Sequence, residues 1–183
     1  MKELSLNILD IAENSVKAKS TLTDISITED GDILTICIKD DGCGMSEETL
    51  MAVSNPFYTT RTTRKVGMGI PLLKLACEQT GGALSITSRV DDGISCEHGT
   101  TVTASFVKTH IDFTPLGDVI SSIVTLIQGH PDTDFRFSHS TPLGEVEIDT
   151  RELRQVLEDV PLDTYEVLIW IRENLEEQYS LLK

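Results

Sequence analysis

Positive charge is scarce in this chain. Fifteen Lys and Arg face thirty Asp and Glu, for a formal net charge of −15. A phosphate backbone is held by Lys and Arg, so nucleic acid is not expected as a general partner. Long apolar runs are missing too. The longest stretches, such as Ile120–Ile127, are interrupted by Ser and Thr and are too short to span a bilayer. No basic segment leads into an apolar one at the N-terminus, so no signal peptide, no membrane contact and a cytoplasmic protein are expected. The four cysteines, Cys37, Cys43, Cys77 and Cys96, include no C-x-x-C pair, and no His pair completes a zinc site. Reduced, packed thiols are expected instead.

One local absence is informative. No acidic residue falls between Glu48 and Glu78, whereas Arg61, Arg64, Lys65 and Lys74 do. Such an island suits a small anion better than a polymer. It reads equally as an uneven stretch of solvated surface.

Periodicity predicts the elements. Leu4, Ile8, Ile11 and Ser15 share one buried face of a helix over 3–18. Alternating segments at 24–28 and 34–39 flank an Asp-Gly turn and predict a hairpin. Ser46 is a helix cap, with Glu47 and Glu48 in the first turn. The Thr-rich 55–65 stretch reads as a loop. A helix begins near Ile70-Pro71 and stops at Gly81-Gly82, and strands follow at 84–88 and 101–107. The tail predicts helices over 116–128, 150–158 and 164–179, with short strands at 134–138 and 145–148. At 183 residues the chain has room for one domain and an appendage.

Three motifs could carry chemistry. Asp10, Asn14 and Lys17 stand at i, i+4 and i+7, so a carboxylate, an amide and an ammonium share a helix face. Asp40-Asp41-Gly42-Cys43-Gly44 ends an apolar strand, where glycines permit a sharp turn and close approach to a flat ligand. Gly67-Met68-Gly69 opens a helix whose free N–H groups favour an anion. Taken singly, these read equally as a solvated helix face, a strand-to-helix turn and a helix start.

Their order and spacing resemble the GHKL superfamily of gyrase, MutL, heat-shock chaperones and histidine kinases. The Asn14 helix resembles the N box, and Asp40-x-Gly42-x-Gly44 the first glycine box. Pro56-Phe57-Tyr58-Thr59-Thr60 resembles the P-F-F-T-T element of histidine kinases, and Gly67-Met68-Gly69-Ile70 their second glycine box. The whole chain is also similar to small stand-alone ATP-binding proteins of anaerobic bacteria, of the anti-sigma-factor and hydrogenase-associated kind.

The resemblance implies an α/β fold, a two-layer sandwich of mixed sheet and helices over 1–109, followed by a small α+β interaction domain over 110–183. It implies ATP and Mg²⁺ as cofactors. Asp40 would accept from the adenine amino group, supported by Thr100. Asn14 would ligate Mg²⁺, and Lys17 would touch phosphate. Gly42, Gly44, Arg61, Gly67 and Gly69 would line the nucleotide, with 53–69 as a lid. Asp10 would be the catalytic carboxylate.

Two departures stand out. Asp10 replaces the Glu of hydrolysing members and the Asn usual in histidine kinases, and Lys65 replaces the first glycine of the second box. The segment His110-Ile111-Asp112-Phe113-Thr114-Pro115-Leu116 echoes a phosphoacceptor box, but its position after a strand favours a linker. The expected function is regulatory: slow ATP hydrolysis or phosphoryl transfer to a protein partner, or nucleotide sensing without catalysis. The tail is expected to bind another protein or a second copy of itself.

Overall fold

The computed structural model describes residues 3–53, 69–94 and 97–182. In chain order the elements are α1 (Leu4–Lys17), β1 (Leu22–Asp30), β2 (Ile33–Asp40), α2 (Glu47–Val53), α3 (Gly69–Gln79), β3 (Leu84–Arg89) and β4 (Gly99–Val107). They continue with α4 (Val119–Gly129), β5 (Asp134–Thr141), β6 (Gly144–Asp149), α5 (Thr150–Leu157) and α6 (Tyr165–Leu181). The strands form one six-stranded sheet in the order β3-β4-β2-β1-β5-β6. Only β1 and β5 pair in parallel; the other neighbours are antiparallel. This mixed sheet with helices is the expected α/β class.

Strand alternation separates two faces. Ile86, Val102, Ile38, Ile25, Phe137 and Ile148 form one row across the sheet. All but Ile86 are buried, and Ile86 packs against the core they share with Leu4, Ile8, Leu73, Ile123 and Ile171 of the helices. The neighbouring row on the other face reads Thr87, Thr101, Lys39, Asp24, Arg136 and Asp149. One face is covered and the other is polar, as expected where a sheet packs on one side only.

The α1 stripe is as its spacing predicts: Leu4, Ile8, Ile11 and Ser15 are all buried. In α6 the buried stripe is Val167, Leu168, Ile171 and Leu175. Tyr165 lies off that stripe at 72% exposure, and Trp170 is half exposed.

Residues beyond 110 do not build a sheet of their own. β5 lies beside β1, from Leu22 opposite Asp134 to Thr28 opposite Ser140, and β6 becomes the sheet edge. α4 packs on α1. The linker is fixed as well, because the N–H groups of Leu4 and Ser5 donate to the carbonyls of Pro115 and Leu116. The free donors at the start of α1 are thus met by the segment that leads into the tail.

Candidate functional site

Asp40 ends β2 on the helix-covered face and is 7% exposed. Its Oδ1 accepts from the N–H of Gly42 at 3.0 Å and of Thr100 at 3.1 Å, and its Oδ2 from Ser15 Oγ at 2.8 Å. An ionised carboxylate offers about four acceptor positions. Three are filled, which leaves one acceptor position. The surrounding hydroxyls extend the network. Thr100 Oγ1 lies 2.8 Å from Ser88 Oγ, which also accepts from the Met45 N–H at 2.8 Å.

The adjacent carboxylate is spent differently. Asp41 accepts from the N–H of Thr21 and Leu22 and from the Thr21 hydroxyl. Partial burial pushes its pKa up, but these hydrogen bonds outweigh it and hold it below the usual carboxylate value.

The glycines serve the chain's own packing. A Cβ on Gly42 would sit 2.8 Å from the Cβ and carbonyl of Ala18, at the end of α1. Gly44 has φ +67, and a Cβ there would lie 1.9 Å from the Arg89 carbonyl oxygen. The missing side chains let the turn after β2 press between α1 and the end of β3. His98 fastens the same turn, its Nδ1–H donating to the Gly42 carbonyl at 2.8 Å.

On α1, Asp10 and Asn14 stand one turn apart. Asp10 faces the start of α3, where a Cβ on Gly69 would fall 2.5 Å from its Oδ2. Lys17 is over half exposed, and its ammonium lies 3.4 Å from Glu13 Oε2. Glu13 Oε1 is 2.8 Å from His130 Nε2, at the C-terminal cap of α4. Burial raises the Glu13 pKa, but the His130 hydrogen bond and charge, with Lys17, bring it below the ordinary value. Glu13 is therefore engaged by Lys17 and His130. An open depression of about 600 Å³, lined by Asp24, Lys39, Thr87 and Thr101, also touches Asp40, but these four residues belong to the polar face of the sheet.

Residues 2–110 match the family model described as histidine kinase-, DNA gyrase B- and HSP90-like ATPase. The chain belongs to this family. Curated relatives include sporulation kinase C of Bacillus subtilis, 30% identical over 95 residues, which are 51% of this chain and 21% of that protein. A probable C4-dicarboxylate sensor kinase of the same organism is 30% identical over 81 residues, 44% of this chain and 15% of the relative. The chain thus spans no more than about a fifth of the length of these relatives. Among solved structures, the N-terminal domain of a DNA repair protein aligns at TM-score 0.59 and 18% identity, over 81% of this chain and 52% of that one. The ADP-complexed MutL ATPase domain of Aquifex aeolicus aligns at TM-score 0.55 and 15% identity, over 86% and 70%. At these identities the likeness is one of fold.

Of the residues read from sequence, the fold brings Asp40, Gly42 and Gly44 into the turn after β2, sets Thr100 of β4 against Asp40, and sets Asp10 against Gly69. Asn14 shares the Asp10 face, and Lys17 reaches Glu13. Arg61, Gly67, Lys65, Cys96 and the 56–60 element lie outside the described residues. Ser15, Ser88 and His98 were not read as site residues. Ser15 carried a signal: a hydroxyl on a buried helix stripe needs a partner, and Asp40 is that partner. Ser88 and His98 carried none.

The donor set also bears on the metal. Among the described residues no group of three or more His, Cys, Asp or Glu could hold a metal ion. Asn14 and Asp10 supply oxygen donors on one face. That fits a hard cation such as Mg²⁺ that takes its remaining ligands from phosphates and water.

Proposed function

We propose that this protein binds ATP with Mg²⁺ and uses it in a regulatory role, by slow hydrolysis or by phosphoryl transfer to a protein partner. The observation that carries this reading is the Asp40 carboxylate, buried at the end of β2 with three donors in place and one acceptor position left. An adenine amino group is a donor of the right kind, and Thr100 stands beside it. Gly42 and Gly44 keep this turn against α1 and β3, which fixes the carboxylate's direction.

Asn14 would hold Mg²⁺ through its amide oxygen. The metal, when bound, neutralises charge on the phosphates. Lys17 would trade Glu13 for a phosphate oxygen, a cheap exchange for an exposed pair. Asp10 is the carboxylate able to orient an attacking hydroxyl or water and take its proton. Its stem is short, so turnover is expected to be slow. Arg61 and Gly67 are proposed to complete the phosphate contacts.

Steady-state ATP turnover tests the enzymatic part. Asp10→Asn is expected to lower it at least about a hundredfold, the low end of what general-base catalysis supplies, and Glu13→Gln to retain it. The reverse result would reassign the base. Tight ATP binding with no turnover, alone or with partners, favours the second reading, a non-catalytic nucleotide-sensing module.

For the tail, the exposed Tyr165, Trp170 and Val156 support contact with a protein partner or a second copy. Light scattering and lysate capture that return only a partnerless monomer count against it.

A further inference from the structure

Glu13 and His130 do nothing for the site as described so far, yet they lie beside it. Lys17 is the ammonium nearest to Asn14 along α1. It leans on Glu13, one turn back, at 3.4 Å. Glu13 in turn is anchored at 2.8 Å by His130, which caps the C-terminus of α4 and donates its own N–H to the Leu126 carbonyl. The row Lys17, Glu13, His130 thus runs from the nucleotide face of α1 to the end of a helix outside the family-matched residues.

The contacts are unequal. The Glu13–His130 bond is short, and both side chains are mostly covered, at 32% and 25% exposure. The Lys17 contact is longer, and Lys17 is 54% exposed. A highly charged phosphate would therefore break the Lys17 end first. The carboxylate would then lose a cation and keep only the imidazole.

We propose that Glu13, held by His130, is a restraining counter-ion for Lys17, so that a nucleotide's phosphates draw Lys17 off Glu13 and the loss is felt at the C-terminal end of α4. Glu13 and His130 are positioning residues in this scheme, not catalytic ones. The inference rests on the reading of Lys17 as a phosphate contact. It adds a route by which phosphate occupancy reaches the tail. α4 is well placed to pass this on, because it packs on both α1 and α6.

The test is calorimetric titration of the full chain with Mg²⁺-ATP and, separately, with adenosine, which has the base and no phosphates. Glu13→Gln should tighten ATP binding about two- to fivefold, the scale of one exposed ion pair. It should leave adenosine binding unchanged. In a Lys17→Met background the gain should vanish. Amide exchange supplies a second readout. ATP, and not adenosine, should alter exchange around His130 in the wild type, and this should be lost in Glu13→Gln. A gain that persists without Lys17 would mean that Glu13 acts only through its field on the phosphates, and would overturn the proposal. So would weaker ATP binding by Glu13→Gln, or no ATP-specific change near His130. Failure of the wild type to bind either ligand is a different result: it removes the reading of the site itself.

Discussion

Asp40 and Asp41 are adjacent carboxylates with separate fates. Asp41 spends its oxygens on Thr21 and Leu22 at the start of β1, while Asp40 keeps an acceptor position in a buried turn. Alternation along β2 decides between them, since only Asp40 falls on the covered face. A second buried polar group tells a related story. His139 is 3% exposed on the apolar face of the sheet. Its Nε2–H donates to Glu29 Oε1 at 3.2 Å, and its Nδ1 accepts from Tyr179 Oη at 2.8 Å. Glu29 is paired further with Lys108 at 2.7 Å. Tyr179→Phe leaves the ring nitrogen without its donor and should cost about 1–3 kcal/mol in chemical denaturation. Burial lowers the His139 pKa, despite Glu29. Protonation therefore favours the unfolded chain. The stability that His139 contributes is complete above its ordinary value of 6.5 and is lost as pH falls towards the folded value. The carboxylates with lowered pKa, Glu29 among them, lose their share only below about 4.5. His139→Gln should flatten the stability profile between 6.5 and 4.5, and an unchanged slope there would count against the buried neutral ring.

At the scale of elements, the turn after β2 is the most constrained piece of the fold. Gly44 combines φ +67 with a Cβ position 1.9 Å from a backbone oxygen, whereas Gly31, with φ +53, has open space around it. Gly31→Ala should cost only the left-handed conformation, about 1–2 kcal/mol. Gly44→Ala must also move β3, so its cost should exceed that of Gly31→Ala in the same melt. Equal costs would mean that the turn is not pressed against β3. This explains why the turn was legible in sequence: side chains cannot fit at Gly42 and Gly44. Helix stripes and the β1–β2 hairpin were legible for a similar reason, as periodicity reports which face is buried. What periodicity does not report is which strand lies alongside. The β1–β5 pairing joins segments more than a hundred residues apart, and nothing in either alternation names the other. Likewise the apolar residues of the tail's strands do not say that they pack in a sheet shared with β1, while Val156, Tyr165 and Trp170 stay exposed.

For the molecule as a whole, the continuous sheet also places the phosphoacceptor echo. Thr100 is beside Asp40 at one end of β4, and His110 follows Val107 at the other. Seven residue steps along β4 separate Thr100 from Val107, roughly 23 Å at about 3.3 Å per residue. His110 is further engaged by Asp112, whose N–H donates to Nδ1 at 3.1 Å. Positioning supplies most of phosphoryl-transfer catalysis, so this imidazole should remain unlabelled. Incubation with γ-labelled ATP should leave no acid-labile, base-stable label on the chain. Such a label, abolished by His110→Ala, would overturn the placement.

The central claim is nucleotide binding through Asp40, and calorimetry of the folded chain with ATP and Mg²⁺ tests it most directly. The wild type should bind, and Asp40→Asn should weaken binding by more than about 1.5 kcal/mol, the scale of one charge-assisted buried hydrogen bond. A correctly folded wild type that shows no binding of ATP would contradict the account.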